Sequence, residues 1–290
     1  MKAAIVALCI MFSCSLAQAQ MVRDRLFGNI SPRVRGEEGR WKVLPGLTGG
    51  LKLYDLYGRY HATLNGTGGT TTSGLSYTDR KGGTGQLSLD GTNDYADTSS
   101  VPAGNYTSSD FSVLFWIKPT SLGANETIVF KGAWQTEGWE IQHNGGGNGS
   151  GQLSLLTSQS GTAQEIESAT GYITVGNWSF VVVTRTGTVG KIYHNGVEVS
   201  YLLQQSITNP ASSTKTLQFG RDEAAGLYIA AGLDDIRISN VALTAMEVEK
   251  QYVMESQSYN VRTPTTFMSG VLPNLGAQGS FFRFMLPQGK

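Results

Sequence analysis

Short runs of alternating apolar and polar residues follow one another along most of this chain, separated by turns rich in Gly, Asn, Ser and Thr. A period of two residues is typical of strands that place one face on a core. Runs at such close spacing favour packed antiparallel sheets over a parallel sheet with crossover helices. We therefore predict an all-β protein with strands centred on residues 61–64, 85–89, 94–98, 110–118, 126–131, 138–143, 151–156, 163–168, 178–186, 189–194, 197–201, 215–219, 227–231 and 232–239.

Two of these runs predict the middle of a sheet. Phe111–Ile117 is apolar at nearly every position, and residues 178–183 share the pattern. Strands of this kind are covered on both faces. Asn195-Gly196 predicts a type I′ hairpin turn, because both residues tolerate a positive φ.

One helix is predicted after the last strand. Thr244 with Glu247 three residues later forms a capping box, and Leu243 with Val248 has the spacing of a hydrophobic staple. Apolar residues at helical period extend to Tyr252 and predict that the helix packs on the sheets.

Alternation through residues 232–240 assigns the last strand's side chains to two faces. One face carries Asp234 with Ile236 and Ile238, where a carboxylate is costly unless it is paired, hydrogen-bonded or bound to a metal. The other face carries Asp235 and Arg237, which we expect to form a solvated ion pair.

Four ordered blocks carry a family resemblance. They are Leu87–Tyr95 (LSLDGTNDY), Asp110–Pro119 (DFSVLFWIKP), Gly176–Arg185 followed by Lys191–Val197, and Gly232–Thr244 (GLDDIRISNVALT). In this order they resemble the laminin-G-like, concanavalin A-like jelly-roll family. The resemblance implies a two-sheet antiparallel jelly-roll β-sandwich with one short C-terminal helix. Members include sugar binders and adhesion modules, so the fold alone does not specify the function.

The resemblance also implies one structural calcium ion. Its ligands would be Asp234 and backbone carbonyls near Gly91, Asn93 and Asp94, which are the hard oxygen donors that calcium prefers. The alternative is that Asp234 accepts N–H groups from this turn and pins it without a metal.

The charge balance excludes one class of partner. The chain has 22 basic and 22 acidic residues, so nothing indicates binding to nucleic acid or to an anionic membrane surface.

Residues 1–19 have the pattern of a signal peptide. Lys2 precedes the apolar run Ala3–Phe12, and Ala17-Gln18-Ala19 gives a small-x-small cleavage site. The apolar run is too short to span a membrane. We therefore expect a secreted protein.

Both cysteines, Cys9 and Cys14, lie within this leader, so we expect no disulfide in the mature chain. Exported animal domains of this size usually carry disulfides, and their absence favours a bacterial or phage-associated origin.

The remaining chain divides into three parts by composition. Residues 20–45 are a charged lead-in, expected to be extended, 46–256 form the jelly-roll domain, and 257–290 form a C-terminal tail. The tail ends with the apolar run Phe281–Leu286, which predicts either a strap packed on the domain or a contact for self-assembly.

Catalysis is not predicted. Glucanases of this fold resemble one another in a Glu-x-Asp-x-x-Glu strand whose carboxylates act as nucleophile and acid/base. The nearest match, Glu165-Ile166-Glu167, lacks the third carboxylate, and we interpret it as a solvent-facing strand edge. His61, His143 and His194 lack metal-ligand spacing.

A ligand site is predicted in the loop between the strands at 126–131 and 138–143. Sugars stack their C–H faces on flat aromatic rings, and amide and carboxylate side chains add hydrogen bonds. Trp134, Gln135 and Glu137 supply these groups, and the Asn144–Gly151 run follows nearby. Trp139 alternates with Ile141 and is assigned to the core, as are Trp116 and Trp178, which match family core positions.

The sequence thus predicts a secreted, non-enzymatic recognition module that binds carbohydrate or another cell-surface macromolecule. The alternative is a structural component of a cell surface, appendage or virion, and a minor alternative is a glycan-active enzyme.

Overall fold

The computed structural model describes residues 33–43, 52–66, 75–76, 85–143, 151–222 and 226–257. The leader at 1–19, most of the lead-in and the tail from 258 onward lie outside these ranges. Within them the chain forms strands β1 Glu37–Lys42, β2 Lys52–Asp55, β3 Ala62–Asn65, β4 Leu75–Ser76, β5 Gln86–Asp90, β6 Tyr95–Asp97, β7 Phe111–Pro119, β8 Glu126–Ala133, β9 Glu137–His143, β10 Leu153–Gln159, β11 Thr162–Ser168, β12 Ser179–Thr186, β13 Val189–His194, β14 Val197–Glu198, β15 Tyr201–Gln204, β16 Leu217–Phe219, β17 Arg221–Asp222, β18 Leu227–Tyr228 and β19 Ala230–Ser239. Helix α1 spans Ala245–Gln257.

The strands form two sheets. Sheet I has the order β14-β13-β12-β7-β19, and the free side of β19 pairs with β5 in its first half and with β1 in its second. Sheet II has the order β3-β6-β16-β8-β9-β10-β11-β15. These pairs are antiparallel, as predicted for a jelly-roll sandwich. Strand β2 pairs with both β1 and β3 and so connects the two sheets.

One apolar core fills the space between the sheets. Alternate residues of the central strands supply it, including Phe111 and Phe115 of β7, Trp139 of β9 and Val181 of β12. A second apolar cluster lies on the other side of sheet I, where Trp116, Phe180, Leu243 and Val248 pack together beneath α1. Strand β7 is therefore buried on both faces, as its continuous apolar run predicted.

The predicted helix start is confirmed. Glu247 Oε2 accepts the backbone N–H of Thr244 at 2.8 Å, and Thr244 Oγ1 accepts the N–H of Glu247 at 3.3 Å. Leu243 and Val248 both belong to the cluster beneath the helix. The Asn195-Gly196 turn also has the predicted positive φ values of 50° and 87°.

The predicted faces of β19 are wrong at one point. Asp235 has φ 50°, and the pairing with β7 shifts between Asp234 and Arg237. This bulge places Leu233 in the same core as Ile236 and Ile238. Leu233 and Ile236 are three residues apart, whereas in a regular strand residues two apart share a face. Asp234 lies opposite Trp116 instead, on the face away from the core.

The ion pair of this strand is also not solvated. Asp235 and Arg237 are both buried, and Arg40 of β1 donates to Asp235 at 2.6 Å and 2.7 Å. Strand β1, which falls within the predicted lead-in of residues 20–45, pairs with β19 inside sheet I.

Candidate functional site

The loop between β8 and β9 is a tight hairpin end that presents one large aromatic side chain. Trp134 is 54% exposed there, and the turn closes when the Thr136 N–H donates to the Ala133 carbonyl at 2.9 Å. Gln135 adopts a positive φ of 58° to complete the turn. An exposed tryptophan at the end of a hairpin is accessible to a flat partner such as a sugar ring.

The neighbouring hairpin holds this turn in place. The Gln135 N–H donates to Ser158 Oγ at 3.0 Å, and the Gly161 N–H donates to the Gln135 carbonyl at 2.7 Å. Two hydrogen bonds from the β10–β11 hairpin therefore fix the backbone of the residue next to Trp134. A loop that is already ordered loses less conformational entropy when it binds.

Glu137 begins β9 and is fixed from the other side. Its Oε1 accepts the Ser213 hydroxyl at 2.9 Å, and the Ser213 N–H donates to Asn105 Oδ1 at 3.0 Å. Burial lowers the pKa of Lys131 to about 8, and the nearby charge of Glu137 opposes this decrease.

The three residues predicted for ligand binding thus lie together on one hairpin end. We call Trp134, Gln135, Thr136 and Glu137 the Trp134 rim. Trp139 packs in the core as predicted, stacked on Phe111 with ring centroids 5.3 Å apart. Residues 144–150, which were predicted to lie near the rim, fall outside the described ranges.

The predicted calcium ligands are not brought together. Ala230 pairs with Asp90, so the turn at Gly91–Asp94 lies beside the start of β19. Asp234 is four residues further along, a separation of about 13 Å at roughly 3.3 Å per residue. The carbonyls near Gly91, Asn93 and Asp94 therefore do not fit one ion together with Asp234.

The turn is instead held by its own aspartate. Asp90 Oδ1 accepts the N–H groups of Thr92 at 2.8 Å and Asn93 at 3.2 Å. Within the described ranges, no group of three or more His, Cys, Asp or Glu side chains could hold a metal ion. Calcium binding by this chain stays a prediction of the family resemblance.

A second group of polar side chains lies on the outer face of sheet II. Trp139, Ile141 and Leu155 point into the core, so the residues alternating with them point away from it. In register across the four strands β8 to β11, Phe130 pairs with Glu140, Glu140 with Leu156, and Leu156 with Glu165. We call this surface the Glu140 face; its members are Phe130, Glu140, Gln142, Ser154, Leu156, Glu165 and Glu167.

The carboxyl groups of this face are in unusual surroundings. Burial raises the pKa of Glu140 to about 7, and the charges of Asp222 and Glu165 act in the same direction. Burial also raises the pKa of Glu165. Both shifts follow from the cost of holding a carboxylate away from water and beside like charges.

The structure corrects one sequence interpretation here. Glu165-Ile166-Glu167 was expected to be a solvent-facing edge, but β11 lies between β10 and β15 and Glu167 is buried. Sequence reasoning missed Glu140 because it considered Trp139 and Ile141 alone. The polar residue that alternates between those two core residues was the available signal.

Two sheets joined around one core, with ordered hairpins at their ends, define a jelly-roll β-sandwich. Laminin_G_3, described as the Concanavalin A-like lectin/glucanases superfamily, matches residues 90–249, more than half of the 290-residue chain. The chain therefore belongs to this superfamily, as the four sequence blocks indicated. No curated protein sequence matches it.

Solved structures show the same fold at low sequence identity. The binding domain of Paraclostridial Mosquitocidal Protein 1 is 19% identical, with a TM-score of 0.57 and coverage of 75% of this chain and 52% of that one. Domain 4 of AbnA, an extracellular GH43 arabinanase from Geobacillus stearothermophilus solved with arabinotriose, is 20% identical, with a TM-score of 0.56 and coverage of 76% and 100%.

A third similar structure belongs to botulinum neurotoxin type C, which depends on interaction with two ganglioside molecules to enter cells. It is 18% identical, with a TM-score of 0.53 and coverage of 76% of this chain and 51% of that one. This chain thus spans about half the length of the toxin binding domains that it matches. At these identities the likeness shows a shared fold. Among the described residues, no helix has the length and apolarity needed to cross a membrane.

Proposed function

We propose that this protein is a secreted, non-enzymatic recognition module that binds a glycan through the Trp134 rim. The observation that carries the proposal is Trp134, which is 54% exposed on a hairpin end whose backbone is fixed by neighbouring loops. A flat partner that stacks on this ring would bury a large apolar area.

The chemistry of the rim suits a saccharide. A tryptophan ring provides a flat surface for the C–H face of a pyranose or furanose, and nearby polar groups fix its orientation. Gln135 and Thr136 carry an amide and a hydroxyl beside the ring, and Glu137 is held in position by Ser213. Ordered groups of both kinds at one place are typical of sugar sites.

The similar structures support the same class of ligand. The AbnA domain was solved with arabinotriose, and the botulinum type C domain interacts with gangliosides. Identities of 18–20% show a shared fold only, so a glycan ligand for this chain is part of the proposal. The leader pattern at residues 1–19 supports export to where such glycans occur.

The test is direct titration with arabino-oligosaccharides and ganglioside oligosaccharides, after a glycan array has selected the best binder. Trp134→Ala should weaken binding at least about tenfold, because stacking on a tryptophan supplies a large part of a small sugar site's free energy. Trp134→Phe should retain part of the affinity.

Leu202→Ala is the matched control, since Leu202 is another exposed apolar side chain, on β15. It should leave the affinity unchanged. Equal binding by the wild-type chain and Trp134→Ala would contradict the proposed site, and no retention of any arrayed glycan would contradict the proposed ligand class.

A further inference from the structure

An open cleft lies between α1 and the segment that precedes β1. One wall is a face of the helix that carries Lys250 and Met254, and the other wall is the segment Arg33–Arg35. Leu243, just before the helix, also lines the cleft. Its volume is about 220 Å³, which equals roughly seven water molecules and is enough for one large side chain. The described side chains do not fill this space, which we call the α1 cleft.

A salt bridge holds the two walls of the α1 cleft together. Arg35 Nε donates to Glu247 Oε1 at 2.9 Å, and Arg35 Nη2 donates to the Ala242 carbonyl at 2.6 Å. The Val34 N–H donates to Glu37 Oε2 at 2.9 Å and fixes the start of the other wall. Because both walls are already in place, a side chain that enters the cleft requires little rearrangement of them.

The cleft combines an apolar interior with two cations. Val34 and Leu243 are buried apolar residues, and Met254 is half-buried. Arg33 and Lys250 are exposed, and among the described residues neither forms an ion pair with a carboxylate. An occupant that suits this cleft therefore carries one large apolar side chain and one carboxylate close to it.

The chain itself begins a suitable segment at the cleft. Pro32 directly precedes Arg33, so residues 20–32 start from one wall. Phe27 is six residues before Arg33, and an extended segment of that length reaches at most about 20 Å. Gly28-Asn29 lies between them and favours a turn that brings Phe27 back towards the cleft.

The composition of this segment matches the cleft better than that of the C-terminal tail. Residues 20–32 contain Phe27 and one acidic residue, Asp24, whereas residues 258–290 contain no acidic side chain. Asp24 and Phe27 are three residues apart. Lys250 and Met254 are four apart on one face of α1, which separates their Cβ atoms by about 6 Å. One short segment can therefore contact both.

We propose that residues 24–30 of the lead-in fold back onto the α1 cleft of their own chain. The Phe27 ring packs against Met254, and the Asp24 carboxylate lies on Lys250. The short tether keeps the local concentration of Phe27 at the cleft high. In this arrangement the lead-in fastens the start of β1 to α1 and is part of the domain.

Thiol protection tests this contact. Both native cysteines, Cys9 and Cys14, lie in the predicted leader, so one engineered cysteine is the only thiol of the secreted chain. Met254→Cys places a thiol in the α1 cleft, where the docked lead-in should protect it from alkylation. Adding Phe27→Ser should raise the alkylation rate at least about tenfold, because the rate follows the population of the open state.

Val253→Cys is the matched control. Val253 adjoins Met254 on the helix and is 40% exposed, but it does not line the cleft. Phe27→Ser should leave the alkylation rate of Val253→Cys unchanged. Equal rates for Met254→Cys with and without Phe27→Ser would overturn the proposal.

The ionic contact has its own test. Asp24→Asn should raise the alkylation rate of Met254→Cys by about two- to fivefold, since an exposed ion pair contributes little. In a chain that already carries Lys250→Gln, Asp24→Asn should cause no further increase. An undiminished increase in that background would overturn the pairing of Asp24 with Lys250.

Trypsin digestion provides a second readout that needs no engineered thiol. The bond after Arg25 lies between Asp24 and Phe27, so docking should slow its cleavage in the wild-type chain. Met254→Asp should raise the rate of this cleavage at least about tenfold, and Val253→Asp should not change it. Protection of the cleft that Phe284→Ser abolishes, or that depends on protein concentration, would overturn the proposal. The tail or a second copy of the chain would then occupy the cleft.

Discussion

Trp116 of β7 donates its indole N–H to Glu255 Oε2 of α1 at 2.6 Å. The other oxygen of Glu255 accepts from Arg237 Nη2 of β19 at 2.5 Å. One carboxylate near the end of the helix thus binds two adjacent strands of sheet I. The helix is held on the sheet by these directed contacts as well as by the apolar cluster beneath it.

These contacts extend into a buried network of charges. Arg237 also donates to Asp235, and Asp235 accepts two hydrogen bonds from Arg40 of β1. The network therefore links β1, β19 and α1, although Arg40 and Asp235 are 195 residues apart in the sequence. Removing one member of a buried network leaves an uncompensated charge, which is costly.

Glu255→Ala should lower the free energy of unfolding by about 3–5 kcal/mol, because it removes one of the carboxylates that face buried Arg237 and the acceptor of the Trp116 N–H. Glu255→Gln should cost less, since the amide oxygen can still accept a hydrogen bond. Urea denaturation at pH 7 measures both. Glu249→Ala, on the exposed side of the same helix, is the control, and a cost for it equal to that of Glu255→Ala would refute the role of the network.

Stability should fall at acid pH through Asp235. Burial alone would raise the pKa of Asp235, but Arg237 and Arg40 hold it well below its usual range. A carboxyl with a lowered pKa in the folded state stabilises the fold above its unfolded pKa of about 3.9, and this contribution is lost as the pH falls. Urea denaturation from pH 7 to pH 3 should show this loss, and Asp235→Asn should be less stable at pH 7 with a flatter pH profile.

A steep acid profile in Asp235→Asn, unchanged from the wild-type chain, would assign the acid sensitivity to another carboxylate. The control is Glu198→Gln, because the pair of Glu198 with Lys191 is exposed and contributes about 0–1 kcal/mol.

The sequence predicted the sandwich, the central strands and the capped helix because each has a local signal: alternation, a continuous apolar run, or a capping box. It did not predict the bulge at Asp235, since a positive φ at a residue other than glycine leaves no periodic mark. One inserted residue then reversed the assigned face of Asp234. Arg40 was counted among the charges of the predicted extended lead-in, and its burial depends on a partner distant in the sequence.

The hairpin that carries Trp134 contains a glycine that has no room for a side chain. Gly138 has φ 80°, and a Cβ atom there would lie 1.6 Å from the Lys131 carbonyl oxygen on the neighbouring strand. Gly161 has nearly the same φ, 85°, but a Cβ atom there would meet nothing within 4 Å. Alanine variants at the two positions therefore distinguish a steric clash, expected only at Gly138, from backbone strain, expected at both.

Gly161→Ala should therefore cost about 1–2 kcal/mol, the strain of a left-handed residue with a side chain. Gly138→Ala should cost several kcal/mol more, because β8 and β9 must also move apart, and it should reduce glycan binding at the Trp134 rim. Thermal unfolding of both variants at pH 7 gives the comparison. Similar losses in the two variants would mean that strand separation at Gly138 is not required.

The two tryptophans of this hairpin should respond differently to the same change. Trp139 is buried, stacks on Phe111 and Tyr106, and donates its indole N–H to the Gly104 carbonyl at 2.8 Å. Trp139→Ala should therefore lower the free energy of unfolding by about 3–5 kcal/mol. Trp134→Ala, five residues away, should change it by less than about 0.5 kcal/mol, because the ring is mostly in water. Urea denaturation measures both. A large loss for Trp134→Ala would show that this ring supports the fold, and the proposed binding site would then lose its main residue.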